Sequence, residues 1–421
     1  RMPEAVPATR RPRWRAWLLG ALVVFALVAG LLAFVSRPPR ATRLMLDTVG
    51  NALGLQITAG SGDYRLRGTP MLDVRNVVAR EPGAAQPLLR ADRILLSLPW
   101  STIRSRGGDL TIERVELEHP VIDVTALQHW LQQRPPGKTR IQTLTRGLQV
   151  RDGRILAGGW RIDAVTLDVP QLAADKPVAA AVAGRYRSDP LQVPFALDVA
   201  LTAPANDAAI GIAGTIDLLH DTWRLPARIV TSAKMQPLDD GLQLQHARLQ
   251  ASARYESADT RVPFALGVAG LLSQRGSRPI QLSPIAIAVR GEGLAPRLDA
   301  AGTIAIAKTL DVRLDGTLQD WPSGWPRLPS PLDASHAPLP LRLDYLGKTD
   351  LTGLAALQVS RDDVRFDGRF HPADVATWVQ ADATNPLPPL DGHLVATQLD
   401  IAGATLHGVD VTIDEPAIAA P

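Results

Sequence analysis

Val193-Pro194-Phe195-Ala196-Leu197-Asp198-Val199-Ala200-Leu201 is the stretch on which the fold turns. Phe195, Leu197, Val199 and Leu201 take every second position, with Ala196, Asp198 and Ala200 between them. Successive side chains of a strand point to opposite faces, so this segment has one oily side and one mixed side. The same period returns in Phe264, Leu266 and Val268, in Ile285, Ile287 and Val289, and in Ile304 and Ile306. It continues in Leu310, Val312 and Leu314, in Leu339, Leu341, Leu343 and Tyr345, and in Val409, Val411 and Ile413. Each run is bounded by Gly, Pro, Asp or Asn, residues that favour turns. About twenty such strands predict a mainly β, mostly antiparallel protein.

The stretch is also repeated. Arg185-Tyr186-Arg187-Ser188 with Val193-Pro194-Phe195-Ala196-Leu197 recurs, ungapped, as Arg254-Tyr255-Glu256-Ser257 with Val262-Pro263-Phe264-Ala265-Leu266. A looser, gapped pair links Gly214-Thr215-Ile216 and Trp223-Arg224-Leu225-Pro226 to Gly316-Thr317-Leu318 and Trp325-Pro326-Arg327-Leu328-Pro329. Repetition at this scale points to stacked units, each touching only its neighbours.

Helical periodicity is confined to Leu44–Leu53 and Thr125–Gln133, the latter with Ala126, Leu127, Trp130 and Leu131 on one side. Arg151-Asp152-Gly153-Arg154 reads as a tight turn, and Gly211-Ile212-Ala213-Gly214 as a bend or bulge. Pro-rich breaks at 134–138, 321–340 and 385–389 read as joints or edges, because proline cannot donate to a ladder.

Near the start, Ala16–Val35 runs twenty residues without a charge. At 1.5 Å per residue that is about 30 Å, the hydrocarbon thickness of a bilayer. The run exceeds a signal h-region and exits through bulky, basic Phe34-Val35-Ser36-Arg37, so it reads as a retained single-pass anchor. Five arginines before it and three after place the N-terminus on the cytoplasmic side. The expected layout is a basic tail (1–15), an anchor (16–35), a β region with short helices (36–133), repeated β units (139–320), a Pro-rich joint (321–340) and a C-terminal β region (341–421).

The net charge of +3 does not indicate nucleic acid. Residues 1–43 hold eight Arg and one Glu, so the remainder is net negative. A duplex-binding surface needs its basic residues on the folded part. The absence of cysteine removes disulfides, thiolate metal sites and thiol nucleophiles. Catalytic signatures are also absent. The eight histidines are scattered singly, with no H-E-x-x-H pair. Ser61 lacks the nucleophile-elbow context, and Gly291-Glu292-Gly293 lacks the rest of a phosphate loop. Asp239-Asp240 and Asp362-Asp363 read as solvated turns, and Asp315-Gly316-Thr317 as a turn into the next strand. Trp321 and Trp325 read as pins of a Pro-rich loop, or alternatively as interfacial anchors. No enzyme, cofactor or metal is expected.

The region from Leu44 to Trp130 resembles the N-terminal part of the AsmA family of envelope proteins. The residues that carry the resemblance are Leu53-Gly54-Leu55, the strand pair Ile57–Arg67, Pro70-Met71-Leu72-Asp73-Val74, Asn76-Val77-Val78, Ala91–Leu98 and Leu110–Val124. The resemblance implies a Gram-negative inner-membrane protein with a periplasmic body. It also implies an elongated, curved β-groove of the AsmA/TamB-like and chorein-like kind, which passes phospholipid or supports outer-membrane biogenesis.

The residues themselves lead to a similar expectation, since many strands with one apolar face need something to cover it. The lining candidates are Phe195, Leu197, Val199, Leu201, Phe264, Leu266, Val268, Ile304 and Ile306, and which sheet face lines the groove is open. The expected partners are phospholipid or another envelope lipid, the inner membrane, and outer-membrane or periplasmic assembly proteins. The alternative is a non-enzymatic periplasmic scaffold whose sheet face is closed as a protein core.

Overall fold

The structure is a computed structural model. It describes Leu46, Gly50 and residues 54–414, apart from 66–67, 102–110, 133–142, 381–388, 402–403 and scattered positions at 175, 206, 259, 277, 326–327, 329, 331–332, 334, 336 and 349–350. The expected anchor at 16–35 lies outside the described residues, as does nearly all of the helix expected at 44–53. Among the described residues no helix is long and apolar enough to cross a membrane. The protein is mainly β. The chain divides into two compact units, residues 1–138 with 155–157, and residues 139–154 with 158–421.

The first unit contains β1 (Gln56–Thr58), β2 (Ser61–Arg65), β3 (Met71–Arg80), β4 (Leu89–Ser97), β5 (Thr111–Ile112), β6 (Arg114–Glu118) and β7 (Val121–Asp123). β3 is central, pairing antiparallel with β1, β2 and β4, while β4 pairs with β6 and β7. The one-sided helix expected near Thr125 spans Val124–Gln132, and the Asp123 carboxylate accepts the Ala126 N–H at 2.9 Å as a cap. Its Ala126, Leu127 and Trp130 pack on buried Leu55, Ala79 and Leu88. Here the polypeptide covers its own apolar face.

After β8 (Thr143–Leu144) and β9 (Leu148–Ala157), the second unit runs through β10 (Trp160–Val169), β11 (Val178–Ser188), β12 (Leu191–Leu201), β13 (Ala209–Leu219), β14 (Arg224–Leu238), β15 (Gly241–Ser257) and β16 (Thr260–Arg275). It continues with β17 (Ile280–Gly291), β18 (Leu298–Ile306), β19 (Leu310–Leu318), β20 (Leu339–Gly347), β21 (Leu354–Arg361), β22 (Val364–Phe370), the helix Pro372–Gln380, β23 (Asp391–Ile401) and β24 (Ala404–Ile413). From β10 to β24 every strand pairs antiparallel with the next, so spatial order is sequence order. Among the described residues no pairing joins β24 back to β10.

The repeated hairpins keep one register. Tyr186 faces Val193 and Gly184 faces Phe195 in β11–β12, and Tyr255 faces Val262 and Ala253 faces Phe264 in β15–β16. Three readings from sequence need correction. Arg151-Asp152-Gly153-Arg154 lies inside β9, where Asp152 takes a φ of 50°, a left-handed conformation that Asp tolerates. The real turn is the glycine pair 158–159. Asp315-Gly316-Thr317 is the middle of β19. Prolines also stand inside inner strands, at points where the ladder to the next strand is interrupted. Pro194 falls where β12–β13 pairing skips from Gln192–Leu219 to Phe195–Ile216, Pro226 where β14–β15 skips likewise, and Pro263 just before β16–β17 pairing begins at Phe264. A residue without an N–H is tolerated where no partner carbonyl is presented.

Candidate functional site

Register places the nine lining candidates. Directly paired residues of an antiparallel ladder share a face, so the pairings can be followed from strand to strand. One row runs Ala180, Val199, Ile212, Thr231, Leu249, Val268, Ile287, Ala300, Gly316, Leu341, Val359, Phe366, Leu394 and Val411, one residue from each of β11 to β24. None is charged, and Thr231 is the one polar member. Beside it runs a second row, Val182, Leu197, Gly214, Ile229, Ala251, Leu266, Val289 and Leu298. Phe195, Leu197, Val199 and Leu201 of β12, Phe264, Leu266 and Val268 of β16, and Ile304 and Ile306 of β18 therefore share one face. Across β11 to β20 that face carries no Asp, Glu, Lys or Arg.

The opposite face is charged. Arg224 pairs with Asp217 at 2.7 Å, Arg254 with Glu256 at 2.5 Å, Arg290 with Asp299 at 2.5 Å and Arg342 with Asp344 at 3.1 Å. Asp217 and Asp344 each hold their arginine's guanidinium above the ordinary value by hydrogen bonding and charge. A recess of about 900 Å³ opens on this side, lined by Ala196, Thr215 and Ser252 together with Arg224, Arg228, Arg254 and Arg290. It is a dip over short residues between longer rows, and the ion pairs occupy three of its four arginines.

Burial separates the two ends of the apolar face. From β11 to β17 the fully buried hydrophobic residues are Val178, Ala208, Ala227, Ala253 and Ile285, while Leu197, Val199, Ile212, Leu249, Leu266 and Val268 are only half-buried. No described element seals these side chains as the first unit's helix seals its core. Toward the C-terminal end, Val364, Ala396, Leu399 and Val409 form a buried cluster with Leu394. The Pro-rich stretch 321–340 is tied there. The Asp400 N–H donates to the Ser330 carbonyl at 2.7 Å, Arg361 donates to the Ser335 carbonyl at 3.1 Å, and the Ser335 hydroxyl donates to Asp362 at 3.1 Å. Trp321 and Trp325 meet edge to face at 5.0 Å, and Trp325 Nε1 donates to the Leu294 carbonyl at 3.0 Å, so this loop is pinned to the β17–β18 turn.

Sequence reasoning passed over β13, β14 and much of β15, which supply Ile210, Ile212, Ile216, Ile229 and Leu249 to the same face. Alanine and glycine dilute the alternation there, yet Leu249, Ala251, Ala253 and Tyr255 do keep the two-residue period. The acidic pairs fall at turns, with Asp239-Asp240 joining β14 to β15 and Asp362-Asp363 joining β21 to β22. Thr397 hydrogen-bonds Asp363 and holds its carboxyl below the usual range. Among the described residues no cluster of His, Asp or Glu could hold a metal. Compared with known proteins, the chain matches no family model, no curated protein and no solved structure.

Proposed function

We propose that the second unit binds and passes phospholipid, or a related envelope lipid, along its apolar face, in an inner-membrane-anchored protein whose body is periplasmic. The observation that carries this reading is the uncharged row from Ala180 to Val411, half-buried in its middle, where no described element covers it. Fully burying a Leu or Val side chain is worth about 1.5–3 kcal/mol, and a half-buried one forgoes part of that until something apolar lies on it. Acyl chains suit such a surface because they make no directional demands and exchange one rung for the next at little change in free energy. No catalytic group is required. The elongated groove, the anchor at 16–35 and a role in outer-membrane biogenesis belong to this proposal and accord with the AsmA-like pattern of 44–130.

The test is chemical. The full chain, purified in a phospholipid-free detergent and extracted with organic solvent, is expected to release phospholipid at one or more molecules per chain. Extracts without lipid phosphorus across several preparations would reject the reading and favour a scaffold with a protein-filled face.

A further inference from the structure

The two rims of the apolar face differ in kind. On the rim made by the turns after β9, β11, β13, β15, β17 and β19 stand all the Trp and Tyr residues of β10 to β19 and their connections. Trp160 lies 5.8 Å from Tyr186, Trp223 lies 6.2 Å from Tyr255 and stacks on His220 at 5.2 Å, and Trp321 meets Trp325. All are half-buried. Tyr186 and Tyr255 are the repeated tyrosines, and each meets a tryptophan from the start of the strand preceding its own. The two stations sit four strands apart, about 19 Å at ~4.8 Å per strand. The same rim carries ion pairs, Arg187 with Asp163 at 3.3 Å and Arg254 with Glu256. The opposite rim has no Trp from β10 to β20; Tyr345 is its one Tyr, the hydroxyl donating to the Lys348 carbonyl at 2.6 Å, and beside charged turn residues such as Asp239, Asp240 and Lys308 it bears exposed aliphatic side chains. Leu242, Ile280 and Ile306 are 37–39% exposed there, and Leu351 is 44% exposed.

Indole and phenol rings have an apolar body and a polar edge, and so favour the boundary between hydrocarbon and water. From this asymmetry, and resting on the lipid reading above, we infer that the aromatic rim seats the glycerol and phosphate-bearing headgroup of a glycerophospholipid. The acyl chains then run inward along the strands. A single leaflet's chain reaches about 15 Å, half the ~30 Å hydrocarbon core. At about 3.3 Å per residue that carries it four to five residues inward, from Tyr255 to Ala251 and from Val262 to Leu266, the row beside Leu249 and Val268 and well short of the aliphatic rim on the 17-residue β15. Lipids would lie with one polarity, their headgroups at the Trp160–Tyr186 and Trp223–Tyr255 stations.

Two nitroxide phosphatidylcholines test this on the full chain, one labelled on the headgroup and one at the chain terminus. The emission lost in W160F/W223F, taken as the difference from wild type, isolates the rim tryptophans. Phe keeps the apolar volume, and unchanged circular dichroism confirms the fold. The headgroup label should quench that component at least twofold more steeply than the chain-end label. Equal quenching, or stronger quenching by the chain-end label, overturns the orientation while leaving lipid binding intact. Binding of neither lipid overturns both.

Discussion

Gly214 shows how tightly the ladder specifies single positions. Its φ is +153°, and a Cβ there would stand 2.1 Å from the Ala196 carbonyl oxygen. Gly214→Val should therefore part β12 from β13 and lower stability by about 2–3 kcal/mol, at the upper end of what single substitutions do, as read from denaturant unfolding. Asp73 illustrates electrostatics. Arg93 grips it with bonds of 2.7–3.1 Å and also reaches Glu118 at 3.1 Å, and chiefly this hydrogen bonding holds the Asp73 carboxyl below its usual range. A carboxyl depressed in the folded state stabilises above its unfolded pKa of about 3.9 and loses that contribution as pH falls below it. Amide protection in β3 and β4 should drop more between pH 5 and pH 3 in the wild type than in Asp73→Asn, and parallel profiles would refute the role. Such detail was partly hidden in the sequence. Asp152-Gly153 has the letters of a hairpin turn, but the same tolerance of positive φ serves a left-handed residue inside β9.

Strands with strong branched or aromatic alternation were legible as strands. β12, β16, β17, β19 and β20 stand where the period-two runs lie. β13 to β15 were less visible, because a sheet face that no second layer fills accepts Ala and Gly where a packed core would need larger side chains. Register was not readable at all. It depends on turn lengths and on bulges such as the one between Leu244 and Ala247, and a shift of one residue would have put Leu197 and Leu266 on opposite faces. With the register known, the element-scale expectation is specific. Val199→Asp combined with Val268→Asp puts two charges in the uncharged row at half-exposed sites, so the sheet should remain by circular dichroism while co-purifying phospholipid falls more than tenfold. Ala196→Asp with Ala265→Asp, on the charged side of the same strands, should leave lipid content unchanged. Equal loss in both pairs would mean that lipid does not distinguish the faces.

The two units answer the same physical demand differently. The first covers its apolar face with the helix Val124–Gln132. The second carries its uncharged row over fourteen strands, about 62 Å at ~4.8 Å per strand, and leaves the middle of it half-exposed. Candidate residues could be named from sequence because alternation marks both faces of every strand. Their convergence on one face could not, since that is a property of fourteen pairings taken together. The claim at this scale is that ligand, rather than polypeptide, completes the apolar surface. Photo-crosslinking from opposite sides of β16 tests it most directly, with p-benzoylphenylalanine at Val268 or at Ala265 and radiolabelled phospholipid supplied to the full chain. Labelling from position 268 and little from 265 is the predicted result. Equal labelling at the two positions, or protein–protein crosslinks alone from 268, would contradict it.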